Sequence, residues 1–121
     1  MKACPSYKKV SWKKKNKYHA VKCLAEGMWF DSQAEAHRWL ELRMLQRAGM
    51  ITGLTRQTSF ELIPGATVNG KKIRGIYYRA DFVYYEEGKM VVEDVKGYKT
   101  KEYELKKKMM LLLRGIEIKE V

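Results

Sequence analysis

Apolar residues fall in short blocks separated by turn-forming residues, and the spacing inside each block predicts an element. Tyr18 to Leu24 and Met28 to Phe30 read as two short strands about Glu26-Gly27. Asp31-Ser32 offers an N-cap for a helix that runs to about Ala48 and is closed by Gly49. Within it, Glu35, Trp39, Leu42 and Leu45 recur near one face at helical spacing. A β-rich stretch follows. Leu54 to Ile63 predicts a strand ended by Pro64-Gly65, and Asn69-Gly70 is a hairpin-turn signal. Ile73 to Tyr85 predicts one long strand, which Glu86-Glu87-Gly88-Lys89 turns into Met90 to Lys96, with Gly97 ending it. Thr100 to Arg114 predicts a second helix stopped by Gly115, and Ile116 to Val121 a last strand. The predicted order is ββ-α-βββ-α-β. This is an α+β domain whose mixed sheet is flanked by two helices.

Charge sharpens the picture at the amino end. Eight lysines precede the first acid, Glu26, and Tyr7, Trp12 and Tyr18 are interleaved with them. Residues 1–17 therefore read as a basic arm, and 18–121 as a single domain. Lysines such as Lys13, Lys14 and Lys15 pair with phosphates and release counterions, and aromatic rings stack on bases. A solvated tail is the plainer account of the same residues. Over all 121 residues, 25 Lys and Arg face 14 Asp and Glu, a net charge of +11. A polyanion is the expected partner, and nucleic acid the first candidate.

Other classes drop out. The longest apolar run, Met109 to Leu113, is far short of the roughly 20 residues that span a bilayer. No apolar stretch backs the early lysines as a signal peptide would require. Cys4 and Cys23, with His19 and His37, give neither a disulfide framework nor zinc-ligand spacing. A cytosolic protein with reduced thiols is expected.

Four residues stand out by position. Asp81 interrupts the apolar strand Ile76 to Tyr85. Asp94 and Lys96 lie two apart in the next strand, so both point to one face. The intervening hairpin brings Asp81 and Asp94 onto adjacent strands. Glu35 shares the helical stripe of Trp39 and Leu42. Converging carboxylates repel unless a cation sits among them, and Mg²⁺ accepts one or two carboxylates with waters and phosphate oxygens. Such an ion can activate a water, with a lysine beside it stabilising charge that builds on a phosphate. Plainer accounts exist here too. An acid in a first helical turn favours the positive end of the helix, and Asp94 and Lys96 could be a surface pair.

The segments Tyr78-Arg79-Ala80-Asp81-Phe82 and Val91-Val92-Glu93-Asp94-Val95-Lys96-Gly97 resemble the signature of the PD-(D/E)XK nucleases. Arg79-Ala80 stands where that superfamily often has Pro before its first Asp. With Phe30 to Ala36, Gly97 to Thr100 and Tyr103 to Lys108, the likeness extends over roughly Tyr18 to Val121. It is to small phage and prophage proteins of unknown function within that superfamily. The resemblance implies a restriction-endonuclease-like core, with Glu35, Asp81 and Asp94 binding Mg²⁺ or Mn²⁺ and Lys96 catalytic. It also implies Gln57 near the site. Glu93 is the register rival of Asp94, but it points to the other sheet face and lacks the two-residue spacing to Lys96.

The resemblance implies metal-dependent hydrolysis of DNA phosphodiesters by a phage or prophage enzyme in the bacterial cytoplasm. Several small nucleases of this fold act as dimers on branched DNA, so the resemblance extends to a branched substrate such as the four-way junction and to a homodimer. Lys71 and Lys72, with Arg74, flank the Asn69-Gly70 hairpin, while Lys99, Lys101 and Lys106 follow the catalytic strand. Both groups are candidates for phosphate contacts. Two other functions fit the same residues: a DNA-binding protein that kept the fold without the chemistry, and a phage protein that binds a host protein.

Overall fold

A computed structural model describes residues 22–95 and 99–121. They fall into two compact units that divide between Ile51 and Thr52. The expected basic arm and the start of the first predicted strand, Tyr18 to Val21, lie outside the described residues.

In the first unit, β1 (Cys23–Ala25) pairs antiparallel with β2 (Met28–Phe30). Glu26 and Gly27 both take positive φ between them, the conformation of a two-residue turn that suits the twist of paired strands. Helix α1 (Gln33–Arg47) begins at Ser32, whose extended backbone and side-chain oxygen cap the N–H of Glu35. The turn acid ties strand to helix: Glu26 Oε1 accepts Trp39 Nε1–H at 2.9 Å and lies 3.4 Å from Arg43 Nε. Phe30 packs on Trp39 with ring centroids 6.1 Å apart. The predicted bounds of this helix and its Gly49 stop are observed.

The second unit is a four-stranded mixed sheet in the order β3 (Thr52–Ile63), β6 (Ile76–Glu86), β7 (Lys89–Asp94), β8 (Lys119–Glu120). Its pairs are antiparallel except β7 with β8. That parallel pair is made by a crossover through α2 (Lys101–Arg114), as parallel strands require. Tyr103 and Met110 of the helix pack with Phe60, Leu62, Tyr78, Ala80, Val83 and Val92 of the sheet, and with Ile118. No helix among the described residues is long and apolar enough to cross a membrane.

Three expectations change in detail. The long strand predicted from Ile73 is interrupted at Arg74-Gly75, leaving β4 (Ala66–Val68) and β5 (Lys71–Ile73) as a separate two-stranded ribbon. The cause lies at its neck. Pro64 has no N–H to give a ladder, and a Cβ on Gly75 would stand 2.8 Å from Ile63 O and 3.1 Å from Gly65 N. The backbones approach too closely there for side chains. The last strand contracts to Lys119–Glu120, and β3 begins earlier, at Thr52.

A charge network closes β8 against α2. Glu120 accepts the Tyr103 hydroxyl at 2.6 Å and pairs with Lys99 at 2.9 Å and Lys107 at 3.2 Å. These donors, the Tyr103 hydroxyl foremost, hold the Glu120 carboxyl at about 2, below its ordinary 4.5. A carboxyl depressed in the folded chain stabilises it above the unfolded value, and that stabilisation is lost as pH falls through the folded value. Glu120→Gln is therefore expected to flatten the loss of melting temperature between about pH 5 and pH 2, followed by circular dichroism.

Candidate functional site

The alternation of β6 slips where the candidate acids lie. Tyr78, Ala80 and Val83 all enter the same core, which a strictly alternating strand cannot achieve. In-out order must therefore shift between Ala80 and Val83. The partner strand shows why. Gln57 sits between the pairs Arg56↔Phe82 and Thr58↔Ala80, across from Asp81, and its φ is 57°. Left-handed backbone at a residue with a Cβ is uncommon and strained, and such strain gathers at functional positions.

Beyond the slip, Phe82 pairs with Glu93 on one face of the sheet, while Val83 pairs with Val92 on the face covered by α2. Asp94 follows Val92 by two residues and so shares that second face. It is 1% exposed and accepts the hydroxyl of Tyr78. Burial first, and then this bond to a carboxylate, push the Tyr78 hydroxyl far above its ordinary pKa. It stays a donor across the whole working pH range. Asp81 completes the arrangement from the neighbouring strand, where its Oδ2 accepts the N–H of Val95 at 2.9 Å. Val95 is the first residue past β7, so Asp81 caps the strand that ends in Asp94. Continuing the register Phe82↔Glu93 by one step sets Asp81 opposite Asp94.

Glu93 is buried as completely as Asp94, yet on the opposite face, where it accepts the hydroxyl of Tyr84 and lies 3.9 Å from Lys119 Nζ. Glu35 belongs to the first unit. It occupies the third position of α1, its N–H bonds Ser32 Oγ at 3.1 Å, and its Oε1 accepts the N–H of Asp31 at 3.2 Å. Glu35 thus reaches back past the Ser32 cap to the residue before it, in a variant of the Ser-x-x-Glu helix start that gives Glu35 a structural task of its own. Lys96 lies outside the described residues, as do Lys13, Lys14 and Lys15.

The candidate phosphate-binding lysines divide. Lys99 is paired with Glu120 and Lys106 with Glu102, at 2.9 and 3.0 Å. Lys71, Lys72 and Lys101 are exposed and form no ion pair among the described residues. Sequence reasoning missed Tyr78 and Tyr84, the donors that hold the two buried acids of β7. By strict alternation Tyr78 would face away from Asp94, and only the slip at Asp81 brings them together.

Among the described residues, no group of three or more His, Cys, Asp or Glu side chains lies close enough to hold a metal ion. Asp81 and Asp94 offer a pair. A carboxylate has about four lone-pair sites, so one accepted hydrogen bond leaves capacity for a cation. Mg²⁺ is commonly bound by one or two carboxylates with waters and substrate phosphates, and this donor set fits it.

Residues 15–119 match the family described as "Protein of unknown function (DUF1064)". No curated protein and no solved structure matches the chain.

The strain at Gln57 has a measurable consequence. Gln57→Gly, free of the left-handed penalty, is expected to be at least as stable as the parent chain, whereas Gln57→Val is expected to lose about 1–2 kcal/mol in urea denaturation. Equal stabilities for the Gly and Val variants would show that Gln57 carries no such strain.

Proposed function

The chain belongs to the DUF1064 family, whose description assigns no activity, and we propose from its site that it is a metal-dependent DNA endonuclease of the PD-(D/E)XK kind. One observation carries the proposal. Asp81 and Asp94 lie across from each other on adjacent strands where the sheet's alternation slips, and Asp81 caps the strand that ends in Asp94. The Asp94-x-Lys96 spacing supplies a lysine two residues on.

In this reading Asp81 and Asp94 hold Mg²⁺ or Mn²⁺. When bound, the ion supplies an activated water and stabilises charge on the phosphate under attack. Each other task falls to the chain. Tyr78 fixes the Asp94 carboxylate by donating to one of its oxygens, so the acid enters the reaction already oriented. Burial around Asp94 excludes bulk water on the α2 side and strengthens every charge interaction at the site. Lys96 neutralises charge building on the scissile phosphate. The resemblance gives Glu35 a metal-binding role and Gln57 a place at the site's edge. Glu35→Gln tests that assignment cleanly, because Gln serves equally well in the helix cap. The proposed substrate is branched DNA, including the four-way junction, cut by a dimer in phage recombination or replication.

The lack of a three-acid group among the described residues favours a second reading, a DNA-binding protein of this fold without chemistry. Incubation with labelled four-way, flapped and linear DNA decides between them. Cleavage is expected with Mg²⁺ or Mn²⁺ and not with EDTA. Asp81→Asn, Asp94→Asn and Lys96→Ala are each expected to slow it by about 100-fold or more. Binding with no cleavage in either metal would overturn the enzyme and support the second reading.

A further inference from the structure

The hairpin between β3 and β6 leaves its whole surface uncovered. Every residue of β4 and β5 is exposed, including Val68 at 47% and Ile73 at 52%. An isolated two-stranded ribbon is marginally stable in water, and here its aliphatic side chains lie in solvent rather than in a core. This ribbon is nonetheless held in a fixed register. Ile63↔Ile76 in the sheet and Ala66↔Ile73, Thr67↔Lys72 and Val68↔Lys71 in the ribbon follow one unbroken count, so the ribbon prolongs β3 and β6 past the Gly65 and Gly75 neck. Asn69 and Gly70, both at positive φ, close its tip tightly.

Its two faces differ. Ala66, Val68 and Ile73 lie on one face with Lys71, while Thr67 and Lys72 lie on the other. No acid occurs between Glu61 and Asp81, and Lys71, Lys72 and Arg74 form no ion pair among the described residues. Around α2, by contrast, Lys99, Lys106 and Lys107 are each engaged by a glutamate, while Lys101 is not. The ribbon and its neck thus gather three unpaired cations within four consecutive residues.

We propose that the β4–β5 ribbon is a nucleic-acid-binding element that enters a groove of duplex DNA. Lys71, Lys72 and Arg74 would meet phosphates while Val68 and Ile73 pack on the groove wall. Three residues per strand reach about 10 Å, close to the roughly 8.5 Å depth of the major groove, which is wide enough for a two-stranded ribbon. The proposal rests on DNA being the partner, as in the function proposed above, but not on cleavage. It makes the ribbon the part that sets how the substrate is held.

The test is fluorescence anisotropy of a labelled 30-base-pair duplex in EDTA over a salt series, comparing the parent with a Lys71→Ala/Lys72→Ala/Arg74→Ala variant. All three positions are exposed, so the melting temperature should not move. The expected result is weaker binding and a log–log salt slope shallower by about two to three. Val68→Ser/Ile73→Ser should weaken binding with the slope unchanged. An unaltered slope and affinity in the triple variant would overturn the proposal, even if the protein cleaves DNA with metal. So would loss of binding to phosphatidylserine vesicles alone, which would make the ribbon a membrane contact. A chain that never cleaves DNA but shows the expected slope change would retain the ribbon and lose the nuclease.

Discussion

Strand β6 changes, partway along its length, which of its positions face α2. Up to Ala80 its even positions face α2, and from Val83 its odd positions do. The change occurs at Asp81, opposite a Gln57 held in left-handed backbone. Without that slip, Tyr78 and Asp94 would lie on opposite faces and Val83 would leave the core. With the slip, Tyr78, Ala80, Val83 and Asp94 share the α2 face, while Phe82, Tyr84 and Glu93 are buried on the other.

The acids themselves are expensive to bury. Glu93 and Asp94 are consecutive, both nearly inaccessible, and on opposite faces of the same strand. An ionised carboxylate loses far more on leaving water than a packed side chain gains, unless donors replace the solvent. A tyrosine meets each one, Tyr84 for Glu93 and Tyr78 for Asp94. Their partners then differ. Glu93 has Lys119 within 3.9 Å, while Asp94 stands at the strand end beside the Asp81 cap. Only the Asp94 side joins two carboxylates from neighbouring strands, and this asymmetry is what points to chemistry there.

Much of this architecture was legible from residue pattern. Turn chemistry at Glu26-Gly27, Asn69-Gly70 and Glu87-Gly88 marked the hairpins, because positive φ restricts which residues can stand there. Ser32 and Thr100 marked the helix starts through their capping oxygens. The bulk of the predicted order follows. What the pattern did not reveal was non-local. The neck at Gly75 depends on the approach of Ile63 and Gly65 from the other strand, and the short last strand on pairing with β7. At the site, Asp81 and Asp94 announced themselves as charges in apolar strands. Tyr78 did not, because period-two reasoning assigns it to the wrong face and nothing local signals the slip. Gln57 entered through a family likeness, whereas its conformation is visible only in three dimensions.

The most direct test of the aspartate pair as a cation site is paramagnetic broadening by Mn²⁺ in amide-resolved NMR of the protein without DNA. Broadening centred on Asp81, Asp94 and Val95, and abolished by Asp81→Asn, is the predicted result. Broadening centred instead on exposed acids such as Glu86 and Glu87, unaffected by Asp81→Asn, would contradict it.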